Sequence, residues 1–222
     1  MTQLLSYPIA LISKYLTITN LILQKPNARA LVLVAHPDDE TIWLGGTMLR
    51  YPQINWTVFS LCRQKDSDRA PKFKKACKLY RAQSIISDLE DEDIMTVKDS
   101  IPEIKEHIIK LLKTKKFDYL FTHGANGEYG HFRHIGVHKA VKDLLKQKKL
   151  AASQVFYFCY QGKNRGDGSH CLNDFKKAQY IVNLNPAELS RKRKIVCNLY
   201  GFSKESFEYK SCLRKETFYC NF

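Results

Sequence analysis

The hydrophobic pattern of the chain alternates between short apolar runs and longer segments with apolar residues at helical spacing. The first run, Ala30–Ala35, contains no polar residue, which is typical of a strand buried on both faces. Further strands are predicted at 56–61, 119–122, 155–158 and 178–182, and helices at 42–49, 73–84, 101–116 and 134–149. This alternation predicts a single Rossmann-like α/β domain, with a mostly parallel sheet and helices on both faces.

The length of 222 residues suits one sizeable domain. We expect residues 25–222 to form it and residues 1–24 to be an apolar docking segment. A proline, a lysine and an asparagine interrupt this segment, so packing on the domain's own core is favoured over a transmembrane helix or a signal peptide. Contact with a membrane surface or with a second copy of the chain is an alternative.

Composition and charge narrow the classes of protein. With 44% hydrophobic and 26% charged residues, the chain falls outside the collagen, coiled-coil and disordered classes. Seven cysteines without paired spacing indicate reduced thiols and a cytoplasmic location. The net charge is +14, and residues 139–222 contribute +10 of it (17 basic minus 7 acidic), which suggests an anionic partner. A nucleic-acid-binding module is one explanation, but the basic residues are dispersed, and we expect no nucleic-acid partner.

Candidate chemistry begins where the first buried strand ends. In an open α/β sheet, side chains just beyond the carboxyl end of a strand point into the ligand crevice. His36 and Asp39 stand there, three residues apart across the predicted turn, and an imidazole with a carboxylate suits Zn²⁺ or Fe²⁺. The alternative is that Asp38 or Asp39 only caps the following helix.

A second cluster follows the strand predicted at 119–122. It is a loop with three glycines that leads from His123 to His134. On a parallel sheet this loop opens at the same edge as the first cluster, so His131 or His134 could supply a third ligand and leave a position for water. His138, one helical turn further on, could compete as a ligand.

Other polar segments are assigned no chemistry. The acidic run Asp88–Asp93 is more typical of a solvated loop than of a metal cage. Residues 164–168 have the composition of a loop. His107 and His170 have no carboxylate-rich surroundings in the sequence, so we expect no function of them.

Together these motifs resemble a known family. They are the AHPDDE segment at 35–40 with Gly45-Gly46 after it, the basic stretch around Arg69, and the G-H-x-x-H at 130–134. They resemble the LmbE/PIG-L family of zinc-dependent N-deacetylases, which remove acetyl from N-acetylated sugars. The resemblance runs from Leu31 to about Val141 and more loosely over Lys192–Phe218, so it implies one deacetylase domain at 25–222.

The resemblance implies a metal centre and a base. By position, His36, Asp39 and His134 would bind one zinc ion per chain, with Fe²⁺ as the alternative metal. Asp38 would be the general base that activates a zinc-bound water as the nucleophile. The predicted reaction is hydrolysis of the acetamide of a GlcNAc-type glycoconjugate.

Three further roles and one departure follow from the resemblance. His131 would stabilise the oxyanion or protonate the leaving amine, Tyr129 would assist at the same oxygen, and Arg69 would contact the sugar or its phosphate. Phe132-Arg133 stands where the family commonly has Pro-Asp, so the carboxylate that orients the catalytic histidine is missing from its usual place. Glu128 or another carboxylate could take over that orientation.

The substrate and the alternatives stay open at this level. A basic C-terminal third is compatible with a phosphorylated or lipid-linked sugar, and therefore with an enzyme peripheral to a membrane. Because the second motif is altered, a catalytically altered binding protein on the same fold is the alternative function.

Overall fold

The computed structural model describes residues 17–92, 94–162 and 169–220. Within these ranges its strands are β1 (Thr19–Asn20), β2 (Arg29–Val34), β3 (Asn55–Cys62), β4 (Gln83–Leu89), β5 (Lys116–Thr122), β6 (Ala151–Phe158), β7 (Tyr160–Gln161), β8 (Leu172–Asn173), β9 (Tyr180–Asn183) and β10 (Lys215–Cys220). Its helices are α1 (Asp39–Arg50), α2 (Arg69–Leu79), α3 (Val97–Leu111), α4 (Gly127–Gly130), α5 (Phe132–Lys146), α6 (Pro186–Lys194) and α7 (Phe207–Lys210), and a π-helical turn, Ile195–Tyr200, continues α6.

Eight of these strands form one central sheet in the order β1-β9-β10-β6-β5-β2-β3-β4. The pairs are parallel except where β10 runs antiparallel to β6 and β9. The short strands β7 and β8 pair separately. The predicted mostly parallel α/β sheet is confirmed.

The order of the strands places a switch point at the centre of the sheet. From β2 the chain moves outward through β3 to β4, and it then returns to place β5 on the other side of β2. The carboxyl ends of β2 and β5 therefore flank the crevice where a parallel α/β sheet binds ligands. Both candidate clusters follow one of these two strands.

Helices cover both faces of the sheet, as the alternation of apolar and polar segments predicts. On one face Val32 packs in a cluster with Trp43 of α1, and on the other face Leu33 packs with Ile108 of α3 and Val141 of α5. No disulfide joins any of the seven cysteines, and six of them are buried. The apolar layers on both sides explain why β2 is a continuous apolar run.

Several predicted boundaries were wrong. The helix predicted at 73–84 ends at Leu79, and the edge strand β4 follows it. The apolar pattern does not predict β4, because its sequence, QSIISDL, mixes polar and apolar residues on a strand that is only partly buried. The helix predicted at 101–116 begins four residues earlier, where the Thr96 side chain accepts the N–H of Asp99 as an N-cap.

The structure describes only the last part of the docking segment predicted at 1–24. Residues 1–16 of the predicted docking segment and the loop predicted at 164–168 lie outside the described residues. Of the remainder, β1 pairs with β9, and Leu21 and Leu23 are buried in the core. Among the described helices, none combines the length and the apolarity needed to cross a bilayer.

Candidate active site

The turn after β2 carries the first group of polar side chains. Asp38 adopts a φ of 117°, which non-glycine residues rarely adopt and which costs about 1–3 kcal/mol. The turn is held by its own carboxylates. The N–H of Asp38 donates to Glu40 (3.0 Å), and the N–H of His36 donates to Oδ2 of Asp39 (2.9 Å). Such strain persists only where the surroundings fix it, and here it lies at the mouth of the crevice.

The connection from β5 to α5 carries the second group. Within α4, Glu128 has a φ of 60°, again in the region that disfavours side chains. Oε1 of Glu128 accepts the N–H of Gly124 (2.7 Å), which closes the loop on itself. His131 then caps α5, and His134 lies in the first turn of that helix.

The three predicted ligands meet between these two connections. Nδ1 of His36 lies 3.3 Å from Oδ2 of Asp39 and 3.3 Å from Nε2 of His134, and Nε2 of His134 lies 3.4 Å from Oδ2 of Asp39. Donor atoms that are each bonded to a tetrahedral zinc ion at about 2.0–2.1 Å lie about 3.3–3.4 Å apart. The mutual spacing of the three atoms therefore fits zinc.

A carboxylate holds the far nitrogen of each histidine. Nε2 of His36 donates to Asp91 (2.8 Å), and Nδ1 of His134 donates to Glu128 (2.7 Å). When both rings are neutral, these bonds leave the lone pairs of Nδ1 in His36 and of Nε2 in His134 facing one another across the site. The carboxylate–histidine arrangement is typical of metal centres, where it fixes the tautomer and raises the basicity of the ligand.

The remaining oxygen of the aspartate ligand candidate is also engaged. The indole N–H of Trp43 donates to Oδ1 of Asp39 (3.0 Å), one helical turn along α1.

His123, which is fully buried, stacks on His134 with ring centroids 3.8 Å apart and donates from Nδ1 to Glu128 (2.8 Å). Its Nε2 accepts the N–H of Ala35 (3.0 Å), so this nitrogen is occupied and His123 is not a ligand candidate.

The charges of the site favour a cation. Burial raises the pKa of Glu128, but the two histidines that donate to it lower the pKa to about 2. Burial acts on Asp91 in the same way, and His36 and Arg63 bring its pKa to about 2. Burial lowers the pKa of His36, but the hydrogen bonds to Asp39 and Asp91 raise it more, to about 9. The donor set therefore attracts positive charge.

Asp38 stands beside this cluster without belonging to it. Its side chain is 6% exposed, and Oδ2 accepts Nη1 of Arg69 (2.7 Å). Burial, and then the charge of Asp39, raises the pKa of Asp38 to about 8, against the opposing effect of Arg69. The guanidinium of Arg69 lies 4.6 Å from the centre of the Phe202 ring, so this arginine is fixed on two sides.

His131 and Tyr129 lie against the histidine cluster. One ring nitrogen of His131 lies within 4.8 Å of a ring nitrogen of His36 and of one of His134, and its ring stacks on His134. Nδ1 of His131 accepts the N–H of Arg133 (3.2 Å), so the neutral ring carries its proton on Nε2. Burial, and then the neighbouring His134, lowers the pKa of His131 to about 2. Tyr129 packs edge to face on both His131 and His134.

A cleft of about 300 Å³ opens above these groups. It is lined by His36, Pro37, Asp38, Arg63, Asp66, Arg69, Asp91 and His131. Seven of these eight side chains are polar or charged, so the cleft suits a hydroxylated ligand better than an apolar one.

Some site residues were missed or misinterpreted. The acidic run at 88–93 is not a solvated loop throughout, because Asp91 turns inward to His36 with its side chain 9% exposed. Glu128 holds His134 and His123, and no contact of the described residues links its carboxylate to His131. His138 does not compete as a ligand, since its Nδ1 bonds to the carbonyl of His123 (2.9 Å). No single-sequence signal distinguishes Asp91 from the five other acidic or apolar positions of its run.

The fold and the donor cluster together define the class: an α/β domain whose sheet carries a His–Asp–His donor set at its switch point. The chain belongs to the PIG-L family, because the family model described as GlcNAc-PI de-N-acetylase matches residues 31–145. The resemblance in the sequence is confirmed.

Known proteins extend this likeness to the fold. N,N'-diacetylchitobiose deacetylase from Pyrococcus horikoshii superposes with a TM-score of 0.64 and 14% identity, over 87% of this chain and 84% of that chain. The 4-carboxy-2-hydroxymuconate hydratase of Pseudomonas putida superposes with a TM-score of 0.56 and 14% identity, over 82% of this chain and 83% of that chain. One neighbour is a deacetylase and the other a hydratase, so the fold alone does not fix the reaction.

A curated relative is similar in sequence. Uncharacterized protein L374 of Acanthamoeba polyphaga mimivirus is 27% identical over an alignment of 133 positions that covers 53% of this chain. The match spans 58% of the length of that relative.

Proposed function

We propose that the protein is a metal-dependent hydrolase that removes acetyl from an N-acetylated sugar. The observation that carries the proposal is the triangle of His36 Nδ1, Asp39 Oδ2 and His134 Nε2, with sides of 3.3–3.4 Å, beside the buried carboxyl of Asp38. Membership of a family described by a de-N-acetylase supports the reaction class. The deacetylase from P. horikoshii is a neighbour in fold.

His36, Asp39 and His134 would hold one zinc ion per chain, with Fe²⁺ as the alternative. When bound by two imidazoles and a carboxylate, zinc lowers the pKa of a coordinated water and polarises a carbonyl oxygen. Asp91 and Glu128 would keep both imidazoles in the required tautomer.

Asp38 is proposed as the general base and then the general acid. It lines the cleft, touches no donor atom of the triangle in the described contacts, and is fixed by Arg69 at 2.7 Å. In its ionised form, a carboxyl whose pKa is raised to about 8 is a stronger base than an ordinary aspartate, and once it has taken the proton of the attacking water it holds that proton near neutral pH. It would then deliver that proton to the amine nitrogen, which leaves only when protonated.

His131 and Tyr129 are proposed to hold the tetrahedral oxyanion. Because the N–H of Arg133 occupies Nδ1 and the pKa is about 2, His131 is a neutral ring with an N–H at Nε2. Such a ring donates a hydrogen bond but does not supply a proton, which favours Asp38 as the acid. Loss of one donor to an oxyanion costs about 10²–10³-fold in rate.

The substrate is proposed to enter through the cleft of about 300 Å³, a volume at the lower end for ligand sites and suited to about one sugar ring. Arg63 and Arg69 stand in its wall, with side chains 38% and 32% exposed. Both are already paired to carboxylates, Arg63 to Asp91 and Arg69 to Asp38. They could still donate to a hydroxyl or phosphate of the sugar, so a phosphorylated or lipid-linked substrate is part of the proposal.

The test is acetate release from a panel of N-acetylated sugars, neutral and phosphorylated, by the metal-stripped and zinc-reloaded protein. We expect activity only after reloading and a loss of about 10²–10⁴-fold in Asp38→Asn, with the bound zinc retained. Asp118→Asn, at an exposed ion pair with Lys25, is the matched control and should be fully active. Zinc uptake without acetate release from any sugar would instead indicate a binding protein on this fold.

A further inference from the structure

Arg133 is a buried arginine that the proposed chemistry does not use. Its side chain is 0% exposed, and it precedes His134 directly on α5. Its Nη2 donates to Oε2 of Glu90 (3.0 Å), but among the described residues neither Nε nor Nη1 has a hydrogen-bond partner. Buried donors without partners lower stability. Any role of Arg133 beyond packing therefore acts through its hydrogen bond to Glu90.

Glu90 organises the turn that follows β4. Its Oε1 accepts the N–H groups of Glu92 and Ile94, and its Oε2 accepts the N–H of Met95 (3.1 Å). The carboxylate of Glu90 thus lies at the centre of the turn that contains Asp91. Glu92 and Ile94 are strongly exposed, so their side chains do little to anchor the turn.

The turn matters because Asp91 is the partner of His36. Oδ1 of Asp91 accepts Nε2 of His36 at 2.8 Å, and this bond turns Nδ1 toward Asp39 and His134. Asp91 lies 55 residues from His36 along the chain, so its position depends on how the turn packs. Arg63 also holds Asp91, but from the cleft wall with its side chain 38% exposed. Arg133 holds the turn from inside the protein.

We propose that Arg133 is a positioning residue: through Glu90 it fixes the turn that presents Asp91 to His36, and so it sets the orientation of His36 toward the cation site. The ion pair of Arg133 and Glu90 links the helix that carries His134 to the turn that supports His36. The proposal rests on the metal-binding part of the proposed function and not on the identity of the substrate.

The experiment measures the zinc affinity of the full chain by competition with a chelator, for wild type, Arg133→Met, Glu90→Gln and the double variant. We expect about a tenfold loss of affinity in each single variant, at the lower end of the 10–100-fold effect of removing an outer partner of a ligand. The double variant should lose no more than Glu90→Gln alone, because that variant already breaks the link to Arg133, besides placing an amide against the backbone N–H groups that Glu90 accepts. Arg133→Lys, which keeps the charge, should lose less.

A loss of affinity through general unfolding is separated by thermal denaturation of the metal-free protein. Methionine replaces the unbranched apolar stem of the arginine, and Glu90 still accepts the backbone N–H groups of its turn. The Tm of Arg133→Met should therefore change little. Arg50→Met is the matched control. Nε of Arg50 donates to Glu188 (2.9 Å) at the opposite end of α1 from Asp39, so its loss should leave zinc affinity unchanged.

The outcomes separate this inference from the proposed function. Wild-type zinc affinity in Arg133→Met, or additive losses in the double variant, would overturn the positioning role. If the wild type binds zinc but deacetylates no sugar, the proposed reaction is wrong, whereas the comparison of affinities still decides the role of Arg133. If the wild type binds neither zinc nor Co²⁺, both proposals are wrong.

Discussion

The two histidines of the proposed metal centre are supported in opposite ways. His134 is fully buried, and its partner Glu128 lies six residues away in the same connection and binds a second buried histidine, His123. His36 is 14% exposed at the cleft, and its partner Asp91 lies 55 residues away in a turn behind an edge strand. One half of the site is dry and local in sequence, and the other half is open and assembled by tertiary contacts.

This difference assigns separate properties to the two halves. A carboxylate in a dry site interacts more strongly with its partners, and an uncompensated group there costs more, than at a solvated edge. The Glu128 half should therefore set the metal affinity, whereas the Asp91 half faces the cleft, where substrate must enter. The same chemical change should have the larger effect in the dry half.

Removing a ligand should have the largest effect of all. We expect His134→Ala to abolish metal binding and to lower kcat/KM on the order of 10³-fold or more, since a catalytic metal contributes several kcal/mol to the reaction. His36→Ala should also weaken metal binding, but less than His134→Ala does, because the loss of His36 leaves no void in a dry site. Metal content after dialysis and acetate release measure the two effects. A His134→Ala protein with one tightly bound ion would remove His134 from the ligand set.

The sequence predicted the half of the fold that is buried on both sides. The apolar run of β2 and the helical spacing of α1, α3 and α5 reflect burial directly, so their existence was predicted correctly. The edge strand β4 is only partly buried, so its apolar pattern is weak: the predicted helix at 73–84 covers its first two residues, and no strand is predicted for the rest. A helix begins earlier than predicted where its cap residue, such as Thr96, lies before the first apolar position.

For the site, the sequence predicted what lies at the ends of strands. His36, Asp39 and His134 follow β2 and β5, and parallel strands bring their carboxyl ends to one edge. Asp91 could not be found in this way, because its contact with His36 depends on the tertiary packing of a turn. The partner of Glu128 could not be predicted either, since it depends on the backbone of a loop in which Glu128 has a φ of 60°.

Neutralising the two supporting carboxylates compares the halves directly. We expect Glu128→Gln to lower zinc affinity by about 100-fold and Asp91→Asn by about tenfold, the two ends of the range for outer partners. The glutamine amide would place a donor against an imidazole N–H or the N–H of Gly124, which a dry site cannot solvate. Competition with a chelator measures both affinities.

The same pair has an expected dependence on pH. The pKa of each carboxyl is held to about 2, so both are ionised at every pH well above that value. Their own titration therefore adds no pH dependence in this range, but the hydrogen bond to Asp91 helps to raise the pKa of His36 to about 9, so below that pH zinc displaces a proton from His36. Asp91→Asn lowers this pKa and weakens the competition by the proton, so its affinity loss should shrink as the pH falls from about 9 to about 5. Equal losses in Glu128→Gln and Asp91→Asn would remove the distinction between the dry and the open half.

The smallest effect on zinc affinity is expected from removing the hydrogen bond that supports Asp39. Trp43→Phe removes the N–H that donates to Oδ1 (3.0 Å) but leaves the aspartate and both of its ligand neighbours in place. We expect zinc affinity to fall about threefold to tenfold, because a hydrogen bond to a charged group contributes about 1.5–3 kcal/mol and only part of it bears on the metal. Trp56→Phe is the matched control, since this buried tryptophan donates to the carbonyl of Tyr51 (2.9 Å) at the start of β3, remote from the site. Both variants should lower the Tm through lost packing, but only Trp43→Phe should weaken zinc binding. An equal loss of affinity in both would mean that Trp43 acts through the stability of the core and not through Asp39.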